Sequence, residues 1–223
     1  MDLVASPPLV PPTPRHPSQS AFSITPNIIY HSNRALTHLP ESWLDDLVRL
    51  IAQEPHLLPR TREVFESATR HGRLIVAVDA REHNRAVGCV ALWELARDGL
   101  DTPWYELGTF VVDPEYRYRA QGEKAMPMGD MLYRLMLERH RRLNILATAT
   151  NPSEIKTGMR HEMKMLRFQM LPIKVHRASC VCPKDRTQVD NNMICPLRNK
   201  ACRVRVTKET WARMGYPSTL SYP

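Results

Sequence analysis

Trp43, Leu44, Leu47, Leu50 and Ile51 recur at three- and four-residue intervals, the spacing that puts side chains on one face of an α-helix. Glu41 and Ser42 open this stretch and Pro55 closes it. A second helix is expected from about Thr61, a candidate cap, to Arg70, with His71-Gly72 ending it. The period then changes. Residues 74–78 are almost wholly apolar, 79–85 are polar and 87–95 are apolar again, which predicts a hairpin of two strands. A third strand is expected over 104–112. Helical spacing returns with Met128, Met131, Leu132, Leu135 and Met136, a stripe read as core rather than a cofactor box. Residues 143–150 read as a strand, and Asn151-Pro152-Ser153-Glu154 as a helix start. Ile155, Met159, Met163 and Leu166 would then be that helix's buried face, with a short strand over 168–171. A closing strand over 203–206 and a terminal turn capped by Thr207 and carrying Trp211 complete the pattern.

This order predicts an α+β (α/β) fold, a mixed, mainly antiparallel sheet flanked by helices. Residues 1–27 hold Pro7, Pro8, Pro11, Pro12, Pro14, Pro17 and Pro26 and are expected to be a disordered tail. A domain over 28–175 and a cysteine-containing extension over 176–223, completing the sheet, follow.

The chemistry is concentrated after the third strand. The apolar run over 107–112 stops at Asp113-Pro114, because proline has no N–H for a central ladder. Then come Glu115, Tyr116, Arg117, Tyr118, Arg119, Ala120, Gln121, Gly122 and Glu123, ahead of a helix. Free N–H groups at a helix start attract anions, arginines clamp phosphate with forked hydrogen bonds, and Gly122 allows close approach. A strand–turn–helix that holds a pyrophosphate is the reading of these residues. Pro127 falls about one turn into the expected helix, where it would delete a backbone hydrogen bond.

This stretch resembles the acyl-CoA-binding loop of the GNAT acetyltransferase superfamily, with Arg117, Ala120 and Gly122 at the motif positions. The resemblance spans roughly residues 40–175 and implies acetyl-CoA as co-substrate. It places the acyl arm on the strand at Phe110, Val111 and Val112, and the phosphates on Arg117, Tyr118, Arg119, Ala120, Gln121, Gly122 and Glu123. It also implies that Asn151 bonds the arm and that Glu106 is the base. Family members often carry a tyrosine acid on the last helix before a Gly-Phe pair. Here Arg167-Phe168 takes the pair's place and Met163 the tyrosine's, which leaves His161 or Tyr133 as substitutes.

Shorter segments are similar to the acetyltransferase domain of N-acetylglutamate synthase. They are Leu58-Pro59-Arg60, Pro114-Glu115-Tyr116-Arg117 with Gly122-Glu123, and Leu171-Pro172 with Lys174-Val175 before Cys182-Pro183-Lys184. That resemblance makes Arg60 the candidate ligand for a substrate carboxylate. The expected function is N-acetylation of a small-molecule amine or an amino acid such as glutamate. The alternative is a catalytically degenerate scaffold that binds nucleic acid or protein.

Composition trims these alternatives. The 223 residues are 43% hydrophobic, enough for one sizeable core, and carry a net charge of +8. That charge suits an anionic ligand such as coenzyme A. Basic residues are not interleaved with aromatics as a single-strand binder needs, so nucleic acid is not the expected partner. The cluster Arg139-His140-Arg141-Arg142 reads as a solvated helix end. No apolar run approaches the roughly 20 residues of a membrane span, and without a basic n-region followed by an apolar core a signal peptide is not expected. Five cysteines, an odd count, point to a reducing cytoplasm. Cys180, Cys182, Cys195 and Cys202 lack paired knuckle spacing, so no metal is assigned, and Cys89 reads as core. A homodimer is the assembly to consider.

Overall fold

The computed structural model describes residues 27–32, 38–54, 57, 59–117, 126–149, 152–179 and 203–217. The proline-rich tail, residues 118–125 of the phosphate loop, Asn151, and Cys180, Cys182, Cys195 and Cys202 lie outside these residues.

Among the described residues, seven strands form one mixed sheet: β1 (Ile28–Ser32), β2 (Leu74–Asp79), β3 (Arg85–Arg97), β4 (Pro103–Val112), β5 (Asn144–Ala149), β6 (Lys164–Leu166) and β7 (Arg203–Val206). Their order across the sheet is β1-β2-β3-β4-β5-β7-β6. All neighbours are antiparallel except β4 and β5. Among the described residues, six α-helices accompany it: α1 (Glu41–Ala52), α2 (Arg62–Arg70), α3 (Met128–Arg139), α4 (Pro152–Arg160), α5 (Ile173–Ser179) and α6 (Lys208–Arg213).

Alternation along β4 divides its side chains between the two faces of the sheet. Tyr105 and Leu107 join Leu132, Tyr133 and Met136 of α3 in one core. On the other face α1 buries Trp43, Leu44, Leu47, Leu50 and Ile51, the stripe its spacing predicts, with Phe65 of α2 and Val76 and Cys89 of the sheet. A third cluster joins Trp104, Leu146, Val175, Val204, Val206 and Trp211, tying the C-terminal segment to the sheet. β7 lies between β5 and β6, and Thr207 caps α6 by accepting from the N–H of Thr210.

The sequence reading needs correction in four places. Pro127 is the N-cap of α3 rather than a residue inside it, so it deletes no helical bond. Helix α4 stops at Arg160, and its turn passes through Glu162 at φ 60°. Met163 and Leu166 are therefore buried beyond the helix, and Met159, expected in the core, is exposed. The strand expected over 168–171 is a short 3-10 turn, and the true strand is Lys164–Leu166. Thr61 stands at the N-cap of α2, but its side chain makes no capping bond.

Leu47 is 0% exposed in the α1 core, whereas Leu100 at the β3–β4 hairpin is 87% exposed. Leu47→Ala should cost about 2–5 kcal/mol, as truncations of buried leucine do. Leu100→Ala should stay within about 0.5 kcal/mol of the parent. Urea unfolding of both variants checks the assignment of the core.

Candidate active site

The parallel ladder between β4 and β5 is short. Trp104, Tyr105 and Glu106 pair with Asn144, Ile145 and Leu146, and there the pairing stops. β5 continues to Ala149 against β7, and β4 continues to Val112 against β3. The two strands part beyond Glu106, which leaves one backbone edge of β4 without a strand partner among the described residues. An unpaired edge of this kind accepts an extended, amide-bearing chain.

A bulge accompanies the parting. Gly108 pairs with Ala91 and Val111 with Cys89, so Thr109 and Phe110 together oppose Val90. Thr109 has φ 51°, a region that β-branched residues rarely adopt. Two contacts hold it there. Its hydroxyl accepts from Trp93 Nε1 at 3.0 Å, and its carbonyl accepts from Cys89 Sγ at 3.4 Å. The bulge bends β4 and directs Phe110 toward α3, where it meets Tyr133 edge-on at 5.5 Å. Val111 and Val112 are buried in the cores on opposite faces.

On the α1–α2 face, Glu106 and Arg60 come together. Glu106 accepts a hydrogen bond from the hydroxyl of Thr148 on β5. Burial pushes its carboxyl above the ordinary glutamate value, against the pull of Thr148 and of the Arg60 charge. Arg60 lies over the indole of Trp93, with its guanidinium carbon 4.9 Å from the ring centroid. Burial lowers its pKa, Glu106 opposes that shift, and its Nε is buried with no hydrogen-bond partner. Trp93 thus supports both the bulge and the arginine. Sequence reasoning placed Arg60 and Glu106 separately, and the structure joins them.

The opposite face holds a second charged cluster. Arg205 of β7 is fully buried, with Nη1 donating to the Glu154 carbonyl at 2.6 Å and Nη2 to Glu154 Oε1 at 3.2 Å. Burial raises the Glu154 carboxyl, Arg205 opposes the rise, and Glu106 adds to it. Asp130 near the start of α3 accepts from Arg160 at 2.9 Å and contacts His161 Nε2 at 3.2 Å, which ties α3 to the end of α4. His161 also stacks on Tyr133 at 5.6 Å.

Arg117, expected to clamp phosphate, donates from Nε to the Val112 carbonyl at 2.9 Å and pairs with Glu54. It fixes the end of β4. Tyr118, Arg119, Ala120, Gln121, Gly122 and Glu123, with Asn151, lie outside the described residues. Among the described residues, no group of three or more His, Cys, Asp or Glu side chains could hold a metal ion. No helix among them is long and apolar enough to cross a membrane.

Sequence reasoning missed Trp93, Thr109, Thr148 and Arg205, and gave Glu154 only a part in the start of α4. Strand residues carry no periodic sign of a ligand-facing role. The one available signal was Gly158, an isolated glycine within a helical pattern.

Residues 36–151 match the model of the Acetyltransferase (GNAT) family. A search of curated protein sequences returned no match. Among solved structures, Rv2747 from Mycobacterium tuberculosis, in complex with CoA and NLQ, superposes with a TM-score of 0.52 at 18% identity. The alignment covers 80% of this chain and 98% of that one, which shows a shared fold. N-acetylglutamate synthase from Neisseria gonorrhoeae, complexed with coenzyme A and L-arginine, aligns at a TM-score of 0.47 and 16% identity, over 81% of this chain and 32% of that one. Arabidopsis thaliana NAA60, in complex with a bisubstrate analogue, gives 0.45 and 16%, over 63% and 85%.

The raised pKa of Glu106 predicts a pH-dependent stability effect. Its folded value exceeds the ordinary 4.5, so its contribution is favourable below that pH and is lost as pH rises through the folded value. Glu106→Gln should therefore raise the urea midpoint at neutral pH and lose that advantage below the ordinary value. The same gain at both ends of the range would show that the carboxyl is not desolvated.

Proposed function

The chain belongs to the acetyltransferase (GNAT) family, and we propose that it moves the acetyl group of acetyl-CoA to the amine of a small carboxylate-bearing molecule, an amino acid such as glutamate. The observation that carries the substrate class is the Arg60–Trp93–Glu106 arrangement. A partly buried guanidinium with an orphan Nε stands within electrostatic reach of a carboxyl held above its usual pKa.

The residues present fit the acyl donor. The unpaired edge of β4 over 107–112 offers backbone groups to the amide-bearing arm, and its N–H groups polarise the thioester carbonyl. Coenzyme A activates the acetyl group as a thioester when bound, and the protein supplies the rest. Arg60 grips the substrate carboxylate with forked hydrogen bonds, and the Trp93 face keeps the guanidinium plane fixed. Glu106 takes the proton that the amine releases as its nitrogen bonds the acyl carbon. A raised pKa makes Glu106 a stronger base than an exposed glutamate, closer to the working pH. Thr148 holds one of its oxygens, so the carboxylate does not swing away from the amine. Residues 118–123 are assigned the phosphates, and Asn151 the pantetheine arm, on the resemblance of the loop.

An acetylation assay across amines with and without a carboxylate, glutamate among them, tests this reading. Arg60→Lys keeps the charge and loses the fork. It should raise the KM for the amino acid by about tenfold, equivalent to ~1.4 kcal/mol, and leave the KM for acetyl-CoA nearly unchanged. An unchanged amino-acid KM, or a preference for amines without a carboxylate, would remove Arg60 from the substrate site.

A further inference from the structure

Gly108 lies on β4 between Glu106 and the bulge. A glycine inside a strand weakens it, and often marks a place where another group comes close to the backbone. Glu106 and Gly108 alternate onto the same face of the sheet, and Trp93 stands directly opposite Glu106 on β3. From there the indole reaches diagonally to Gly108. A Cβ on Gly108 would lie 3.2 Å from Cδ1 of the indole and 3.4 Å from its Nε1. At those distances the ring would have to give by a few tenths of an ångström. The backbone does not itself require glycine here, because Gly108 is not among the residues at positive φ.

We propose that Gly108 is a positioning residue for the substrate carboxylate: its missing side chain lets the Trp93 indole lie close against β4, and the indole in turn sets where Arg60 presents its guanidinium. This rests on the reading of Arg60 as the carboxylate ligand. Three observations support it. The guanidinium carbon of Arg60 is 4.9 Å from the centroid of the Trp93 ring, and its buried Nε has no hydrogen-bond partner. A guanidinium anchored through Nε would keep its place if the ring moved, whereas this one follows the ring. The ring has few ways to yield without turning. Its Nε1 is tied to the Thr109 hydroxyl at 3.0 Å, and fully buried Phe65 of α2 meets it at 6.4 Å and 66°. Finally, Glu106 is the next residue along on the same face. A turn of the indole therefore changes the distance between the group proposed to grip the carboxylate and the group proposed to take the proton.

The effect falls on the acceptor rather than the acyl donor. The acyl arm is assigned to the edge of β4 that faces β5, and an alanine at 108 leaves the backbone groups of that edge in place. The new methyl group presses on the indole, which approaches from β3.

Steady-state kinetics of the full-length protein test the assignment, with urea unfolding to confirm that each variant folds. Gly108→Ala should raise the KM for the amino acid roughly three- to fivefold, since a misplacement of ~1 Å can cost 10²-fold and the shift here is a few tenths of that. The KM for acetyl-CoA should stay within about twofold of the parent. An amine of the same size without a carboxylate should show no such rise. Trp93→Leu removes the ring edge that the methyl meets, so adding Gly108→Ala in that background should change nothing further. Should Gly108→Ala alone not fold, the double variant must fold and match Trp93→Leu. An unchanged amino-acid KM in folded Gly108→Ala, an equal rise in both KM values, or a full additional loss in the Trp93→Leu background would overturn the inference and leave the transferase reading intact. A parent protein that acetylates no carboxylate-bearing amine would overturn both.

Discussion

The indole N–H of Trp93 donates to the hydroxyl of Thr109 at 3.0 Å, across the bulge where β4 bends. A β-branched residue at positive φ is strained by roughly 1–3 kcal/mol and persists only when its surroundings over-determine it. Here the burial of Thr109 and its bonds to Trp93 and Cys89 provide that constraint. The bend goes with the loss of pairing to β5 beyond Glu106, and so with a backbone edge that has no strand partner among the described residues. The same indole carries Arg60 on its face. One tryptophan therefore connects the strained backbone with the charge assigned to the substrate.

Two charged clusters on opposite faces of the sheet sense each other. Glu106 faces the α1–α2 side and Glu154 the α3–α4 side, yet each sits where burial disfavours its anion, and the charge of Glu106 reaches Glu154. Each carboxylate has its own cation, Arg60 for Glu106 and Arg205 for Glu154. Proton acceptance is proposed for the Glu106 side.

Much of this arrangement was legible in the chain. The α1 stripe, the hairpin, the strand ending at Asp113-Pro114 and the methionine-rich α3 follow from periodicity and proline chemistry. Glu106 and Arg60 could be named because short motifs flank them. The remainder depended on three-dimensional information that local patterns do not carry. Apolar Met163 and Leu166 continue the helical period of α4 past its real end, and a glutamate at Glu162 gives no sign of a left-handed turn. Arg205 lies in an alternating strand, where an arginine reads as solvent-facing, but β7 is inserted between β5 and β6 and the side chain points under α4. The bulge was hidden because Thr109 is an unremarkable strand residue by propensity.

The central claim is that the edge of β4 beyond Glu106 receives the acyl arm. Amide hydrogen exchange, measured with and without acetyl-CoA, tests it most directly. Backbone amides over 107–112 should gain protection when acetyl-CoA binds, because new hydrogen bonds form on that edge. Those of β5 up to Ala149, already paired with β7, should change little. Saturating acetyl-CoA that leaves exchange over 107–112 unaltered would contradict the account.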